Sequence, residues 1–234
     1  MNGSRIAVVS GVGPGTGLAL VQRFVAGGYQ VAMIARNAER LNEFARDIPG
    51  CHAYPADVTH PSQLDEALTR IQAELGHPQV LLHNAVGGSF GNFLEIDPQV
   101  LEVNFRTNVM GLLHLARRLA PAMIAAGQGV IIATGNTSSL RGKSKFAGFA
   151  PTKAAQRILA ESMARELGSQ GVHVAYVVID AVIDLAWTRK RYPDARDDFF
   201  IQPRDIADEI WHVVHQPKSA WSFNVELRPH GENW

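Results

Sequence analysis

The sequence predicts a single α/β domain over residues 1–234, a mostly parallel sheet with helices packed on its faces. Three observations point there. Short apolar runs alternate with amphipathic ones along the whole chain. A glycine-rich turn, Ser10-Gly11-Val12-Gly13-Pro14-Gly15-Thr16-Gly17-Leu18, joins the first apolar run to the first amphipathic one. Finally, 234 residues, 46% of them hydrophobic, suffice for one core of this kind and leave little room for a second.

The first strand is Arg5 to Ser10, apolar on both faces as a parallel strand should be. A helix follows from Thr16 and stops at Gly27-Gly28. Between them the glycines fit G-x-x-x-G-x-G at Gly11, Gly15 and Gly17, because Thr16 breaks the G-x-G-x-x-G pattern. A glycine turn lets the backbone come close to a ligand, and the helix start offers N–H groups and the positive end of a dipole. A plain tight loop has the same glycines. Placed after the first strand of an alternating chain, they favour a dinucleotide diphosphate.

The second strand, Gln30 to Ala35, ends at Arg36. An acidic residue there would suit a ribose 2′-hydroxyl, and an arginine suits a 2′-phosphate. With Arg36 and no adjacent acid, NADP(H) is favoured over NAD(H). The third strand, Cys51 to Tyr54, leads to Asp57-Val58, where ligands collect in open α/β sheets; a turn or cap role for Asp57 is the plainer reading. Pro61 opens a helix with Leu64, Ala67, Leu68, Ile71 and Leu75 as its buried stripe.

Val80 to His83 is the fourth strand, and its exit loop Asn84-Ala85-Val86-Gly87-Gly88 is small enough for a cofactor to pass. Pro98 opens a long helix to about Ala126. Asn104 and Asn108 share one of its faces, either exposed or marking a local break that faces a site. Val130 to Ala133 is the fifth strand, emptying into the hydroxyl-rich loop Thr134-Gly135-Asn136-Thr137-Ser138-Ser139. The basic run Arg141 to Lys145 is a solvated face or a recruiter of anionic substrate. A helix from Phe149 to Leu167 carries Lys153, its turn set near the interior by Ile158, Leu159, Met163 and Leu167. Val172 to Ile179 is the sixth strand. Residues 180–202, rich in aromatics, read as a substrate lid or a subunit contact. A short helix, Asp205 to Val214, and a last strand, Phe223 to Leu227, complete the chain.

Formal net charge is zero, which argues against a dedicated nucleic-acid or anionic-membrane surface. A lone cysteine, Cys51, excludes an internal disulfide and a cysteine metal cluster. The histidines are scattered, and the His212/His215 pair reads as packing, so no metal is expected. No stretch is long and apolar enough for a bilayer, and no charged-then-apolar segment leads the chain; the expected setting is cytoplasmic.

Over nearly its whole length the chain resembles the short-chain dehydrogenase/reductase family. The match is carried by Gly11-x-x-x-Gly15-x-Gly17, Asp57-Val58, Asn84-Ala85-x-Gly87, Asn108 followed by Gly111, and Lys153 opening a long helix after the fifth strand. The resemblance implies a seven-stranded, doubly wound, Rossmann-like sheet, a bound nicotinamide cofactor, and dimers or tetramers built on the two long helices. It implies cofactor contacts at Ser10, Gly11, Gly15, Gly17, Leu18, Arg36, Asp57, Val58, Asn84, Ala85 and Lys153. In the family a Tyr exchanges a proton with the substrate oxygen, a Lys four residues later tunes it and holds the nicotinamide ribose, a Ser holds the substrate oxygen, and an Asn anchors a water beside the Lys.

The motif Tyr-x-x-x-Lys reads here Phe149-Ala150-Pro151-Thr152-Lys153. Phe has no proton to give. The expected Ser falls on Asn136, with Thr137, Ser138 and Ser139 adjacent, and Asp180-Ala181 stands where the family has Pro-Gly after the sixth strand. The catalytic set expected is therefore Lys153, Asn108 and Ser138; Tyr192, Lys145 and Asp184 are further candidates for the missing acid. The resulting expectation is an NAD(P)-dependent oxidoreductase acting on a small carbonyl or alcohol. The alternatives are a catalytically impaired NADP(H)-binding sensor or partner subunit, and an enzyme of dehydration or isomerisation chemistry.

Overall fold

The computed structural model describes residues 5–231. Seven strands form one sheet: β1 (Arg5–Ser10), β2 (Tyr29–Ala35), β3 (Cys51–Pro55), β4 (Val80–His83), β5 (Gly129–Gly135), β6 (Val172–Ile179) and, last in the chain, β9 (Asn224–Leu227). Their order is β3-β2-β1-β4-β5-β6-β9. Every pairing in it is parallel, stricter than the mostly parallel sheet expected. The chain runs outward from β1 to β3, then crosses back to place β4 on the other side of β1. That reversal opens a crevice beyond the carboxyl ends of β1 and β4.

Two apolar layers cover the sheet. On one face Val8, Ile34, Leu81 and Ile131 pack against α3 (Pro61–Glu74), α5 (Gly111–Ala125) and α6 (Ala150–Leu167). On the other, Ala7, Val9, Met33 and Leu82 pack against α1 (Thr16–Ala26), α2 (Ala38–Asp47) and α8 (Pro203–Val214). The alternation of neighbours such as Ala7 and Val8 between the two layers is the period-2 geometry of a strand buried on both sides. Helix starts follow local chemistry. The Asn37 side chain accepts from Arg40 N–H at 2.9 Å to cap α2, and the Asp97 carboxylate accepts from Gln99 N–H at 2.9 Å ahead of Pro98.

Two segments take a form that the sequence reading left open. The helix expected from Pro98 to about Ala126 is interrupted: α4 (Pro98–Phe105) passes through a π turn, Arg106–Met110, before α5. Gly111 N–H there reaches back to Arg106 C=O. The cause is tertiary, since Asn104 and Asn108 are both buried and bonded to other loops. Residues 180–202, patternless in sequence, hold β7 (Val182–Ile183), the short helix α7 (Ala186–Arg191) and β8 (Phe200–Ile201), with β7 and β8 paired in parallel. Arg189 fastens this segment by donating to both carboxylate oxygens of Asp184 at 2.6 and 2.7 Å.

Candidate active site

The glycine turn is shaped by backbone approach. Gly11 has φ +82°, and a Cβ there would lie 2.3 Å from Ala85 N. No residue with a side chain fits between these two loops. At Gly17 a Cβ would lie 2.6 Å from Gly11 C=O, so α1 starts pressed against the end of β1. Asn84 ties the loops together by donating from Nδ2 to Gly11 C=O at 3.0 Å. Gly15 faces the 180–202 segment, where a Cβ would meet Leu185 Cδ2 at 2.6 Å.

Some residues named from the sequence are turned inward. Ser10 is fully buried, its Oγ 2.9 Å from His83 Nδ1, so its side chain braces β1 against β4. Leu18 N–H donates to Gly13 C=O at 2.9 Å. Val58 and Ala85 are buried and offer backbone and van der Waals surface only. Arg36 is exposed at the end of β2. Its charge helps hold the Asp57 carboxyl below the usual range: burial opposes ionisation there, but the Thr59 N–H and hydroxyl bonds outweigh it, with Arg36 and His60 adding to them. A residue that the sequence reading missed stands at the start of α1. Thr16 Oγ1 is buried with no hydrogen-bond partner. An orphaned hydroxyl beside the first-turn amides of a helix suits a phosphate oxygen.

Beyond β5 the site is made of side chains. Lys153, on the first turn of α6, is 2% exposed; its Nζ donates to Thr134 C=O at 2.9 Å and to Gln156 Oε1 at 2.5 Å. Gln156 Nε2 donates to Asn108 C=O in the π turn at 2.8 Å. Asn108 in turn accepts from Gly87 N–H at 2.9 Å and donates to Gly87 C=O at 2.7 Å and Thr152 Oγ1 at 2.8 Å. Thr134 Oγ1 reaches Asn84 Oδ1 at 3.2 Å. A polar chain therefore runs from Gly11 through Asn84, Thr134, Lys153 and Gln156 to Asn108.

No carboxylate among the described residues lies within ion-pair reach of Lys153. Burial thus acts uncompensated and lowers the ammonium from the ordinary 10.5 to about 7. His83, at the end of β4, is pushed down to about 3 by burial and then by the Lys153 charge, against the pull of the Asn108 and Thr107 carbonyls.

Phe149 caps α6 and is 6% exposed, its ring 3.1 Å from where a Gly88 Cβ would sit. It meets Phe90 edge-on with centroids 5.9 Å apart, and Phe90 meets Phe146 at 5.0 Å. Ser138 is buried in a short 3-10 turn whose start is capped by Asn136 Oδ1, which accepts Ser138 N–H at 3.1 Å. Of the other candidate acids, Asp184 is occupied: Arg189 and Gln202 hold its carboxyl down at about 2, ionised at neutral pH. Tyr192 and Lys145 are exposed. Among the described residues no group of three His, Cys, Asp or Glu could hold a metal ion, and no helix is long and apolar enough to cross a membrane.

Residues 5–191 match the profile of the short chain dehydrogenase family. The chain belongs to that family. This short-chain dehydrogenase is 25% identical to an uncharacterized oxidoreductase of Staphylococcus epidermidis over 226 residues, 96% of this chain and 97% of that one. Among solved structures it is similar to a metagenomic short-chain oxidoreductase in complex with NADP, at 28% identity and TM-score 0.84 over 97% of this chain and 98% of the other. A short-chain dehydrogenase from Rhodopseudomonas palustris matches at 30% identity and TM-score 0.82, over 97% and 99%. The chain is thus a short-chain dehydrogenase-type oxidoreductase with the Rossmann-like fold.

Proposed function

We propose that this short-chain dehydrogenase uses NADP(H) in preference to NAD(H) to interconvert a small carbonyl and its alcohol, through an active site that works without a phenol. The observation that carries the reading is Lys153: buried, free of any carboxylate, and fixed by two carbonyl groups at the mouth of β5. A lysine is rarely buried so, and a group poised near neutrality suits proton transfer.

Gly11, Gly15, Gly17 and the backbone near Leu18, with Thr16 Oγ1, fit a diphosphate at the α1 start. Asp57, Val58, Asn84 and Ala85 line the way to it, and Ser10 supports them from beneath. The exposed Arg36 fits a ribose 2′-phosphate, and the NADP complex of the metagenomic relative supports that preference. A nicotinamide held there would supply or take up the hydride at the substrate carbon. Ser138 Oγ donates to the substrate oxygen. Lys153 gives up the proton that the reduced oxygen needs, passed through water where a phenol would otherwise reach. Asn108 holds the β4 exit loop by its bonds to Gly87. Phe149, Phe90 and Phe146 give the pocket an aromatic wall, and residues 180–202, leaning on Gly15 through Leu185, act as the lid.

We further read the protein as one cytoplasmic domain that forms a homodimer or homotetramer, taking a small molecule and neither nucleic acid nor membrane as partner. Phe149 favours a second reading, a cofactor-binding sensor or partner subunit. The test is calorimetric titration with NADPH and NADH, followed by turnover on a carbonyl panel. Tight NADPH binding with measurable turnover is expected. Binding without turnover on any substrate moves the protein to the second reading, and no association of either nucleotide at millimolar levels overturns both.

A further inference from the structure

Gln156 is a fully buried amide on a helix face that an aliphatic side chain would fill at no polar cost. It stands one turn after Lys153, on the same side of α6. Both ends of the amide are engaged. Oε1 accepts from Lys153 Nζ at 2.5 Å and lies 3.2 Å from the Tyr176 hydroxyl, and Nε2 donates to Asn108 C=O at 2.8 Å. It is the one side chain among the described residues seen accepting from the lysine; the other acceptor, Thr134 C=O, is backbone. The titratable neighbours around Lys153 are His83 from β4, which its charge depresses, and Tyr176 from β6, which is hydrogen-bonded to both the Lys153 carbonyl and Gln156. Neither brings a negative charge at neutral pH: His83 is neutral, and burial raises the Tyr176 phenol.

An ammonium has three N–H donors and an amine has two with a lone pair. Two positions on Lys153 Nζ are taken in either form, so one remains. A neutral amide can accept from both forms, whereas a carboxylate would lock the cation. We propose that Gln156 is a positioning residue, which, anchored on the Asn108 carbonyl, pins Lys153 Nζ against Thr134 C=O of β5 and leaves the third position of that nitrogen for the reacting groups. The inference rests on the reading of Lys153 as the proton-carrying group.

The test labels the protein with lysine carrying 13C at Cε and follows the Lys153 signal by NMR across pH, assigned by its loss in Lys153→Met. Gln156→Glu is expected to raise the Lys153 midpoint by about one unit or more, and Gln156→Met to lower it. Alongside, Gln156→Met is expected to lower kcat about 10- to 100-fold with the NADPH KM changed less than about 3-fold. The alkaline limb of kcat/KM for carbonyl reduction is expected to follow the NMR midpoint in each protein, because the protonated lysine is the form that donates. A Lys153 midpoint that stays the same in the Gln, Glu and Met proteins overturns the proposal; should the Met variant fail to fold, the Glu variant decides alone. A midpoint that moves while the pH–rate limb ignores it overturns instead the reading of Lys153 as the proton carrier.

Discussion

The two sides of the crevice are built from different materials. Around β1, β2 and β4 the site is backbone: Gly11 against Ala85, Gly17 against Gly11, and Asn84 donating to a main-chain carbonyl. Around β5 and α6 it is side chain: Lys153, Gln156, Asn108 and Thr152 in one buried network. The first kind of site tolerates no added atom but asks little of chemical identity beyond glycine. The second accepts a change of volume more readily than a change of donor or acceptor. On the proposed reading, a backbone-built nucleotide site can persist while the side-chain chemistry beside it changes, with Phe149 standing where the family resemblance expects a Tyr.

The sharpest way to break that contrast is Lys153→Met. On the proposed reading turnover falls about 10²–10⁴-fold, while nucleotide binding in the glycine turn is retained. Stability moves the other way. The folded lysine binds its proton less tightly than the unfolded one, so wild-type stability rises with pH between about 7 and 10.5 on this account, and the cost is fully present below about 7. The variant removes that slope and gains about 1 kcal/mol near neutral pH, or about 2–4 °C in Tm, measured by urea and thermal unfolding across pH. A variant less stable than wild type at pH 6 would show that the buried cation is compensated after all.

Gly11→Ala tests the backbone side. A Cβ 2.3 Å from Ala85 N, at φ +82°, should cost about 2–4 kcal/mol in unfolding free energy and remove NADPH binding in the protein that still folds. If binding survives, the approach of the two loops is not what shapes the nucleotide site.

Phe149→Tyr sharpens the comparison from the chemical side. It adds a phenol four residues before Lys153, and steady-state kinetics should show turnover raised about tenfold or more with the NADPH affinity unchanged. Activity arising from nothing would mark the natural protein as a binder; no gain over an active wild type would mean that another acid serves. The smallest effect is expected at Arg36. Arg36→Ala should weaken NADPH about tenfold by calorimetry and leave NADH nearly unchanged, because an exposed charge pair with a 2′-phosphate is all that is removed. Equal loss for both nucleotides would place Arg36 elsewhere than at the 2′-phosphate.

The legible parts of this protein are those written in local pattern. The strand and helix alternation, the Gly11, Gly15 and Gly17 spacing, the Pro61 and Pro98 helix starts and the Phe149-to-Lys153 interval all act between residues close in the chain, so the sequence determined the α/β sheet with helices on its faces and where its loops gather, and the family resemblance implied its doubly wound order. Residues 180–202 escaped that reading because their order comes from Asp184 pairing with Arg189 and from β7 meeting β8, which leave no period. The sequence allowed a local break at Asn104 and Asn108 but not its form as a π turn, because Asn108 bends its helix to reach Gly87 and Thr152, partners 21 and 44 residues away. Gln156 looked like any helical glutamine, and Thr16 looked like an interruption of a glycine motif. Only the folded chain decided that one amide would sit between Lys153 and a backbone carbonyl, or that one hydroxyl would be left without a partner, because burial and hydrogen-bond satisfaction are properties of the assembled core rather than of the residues in line.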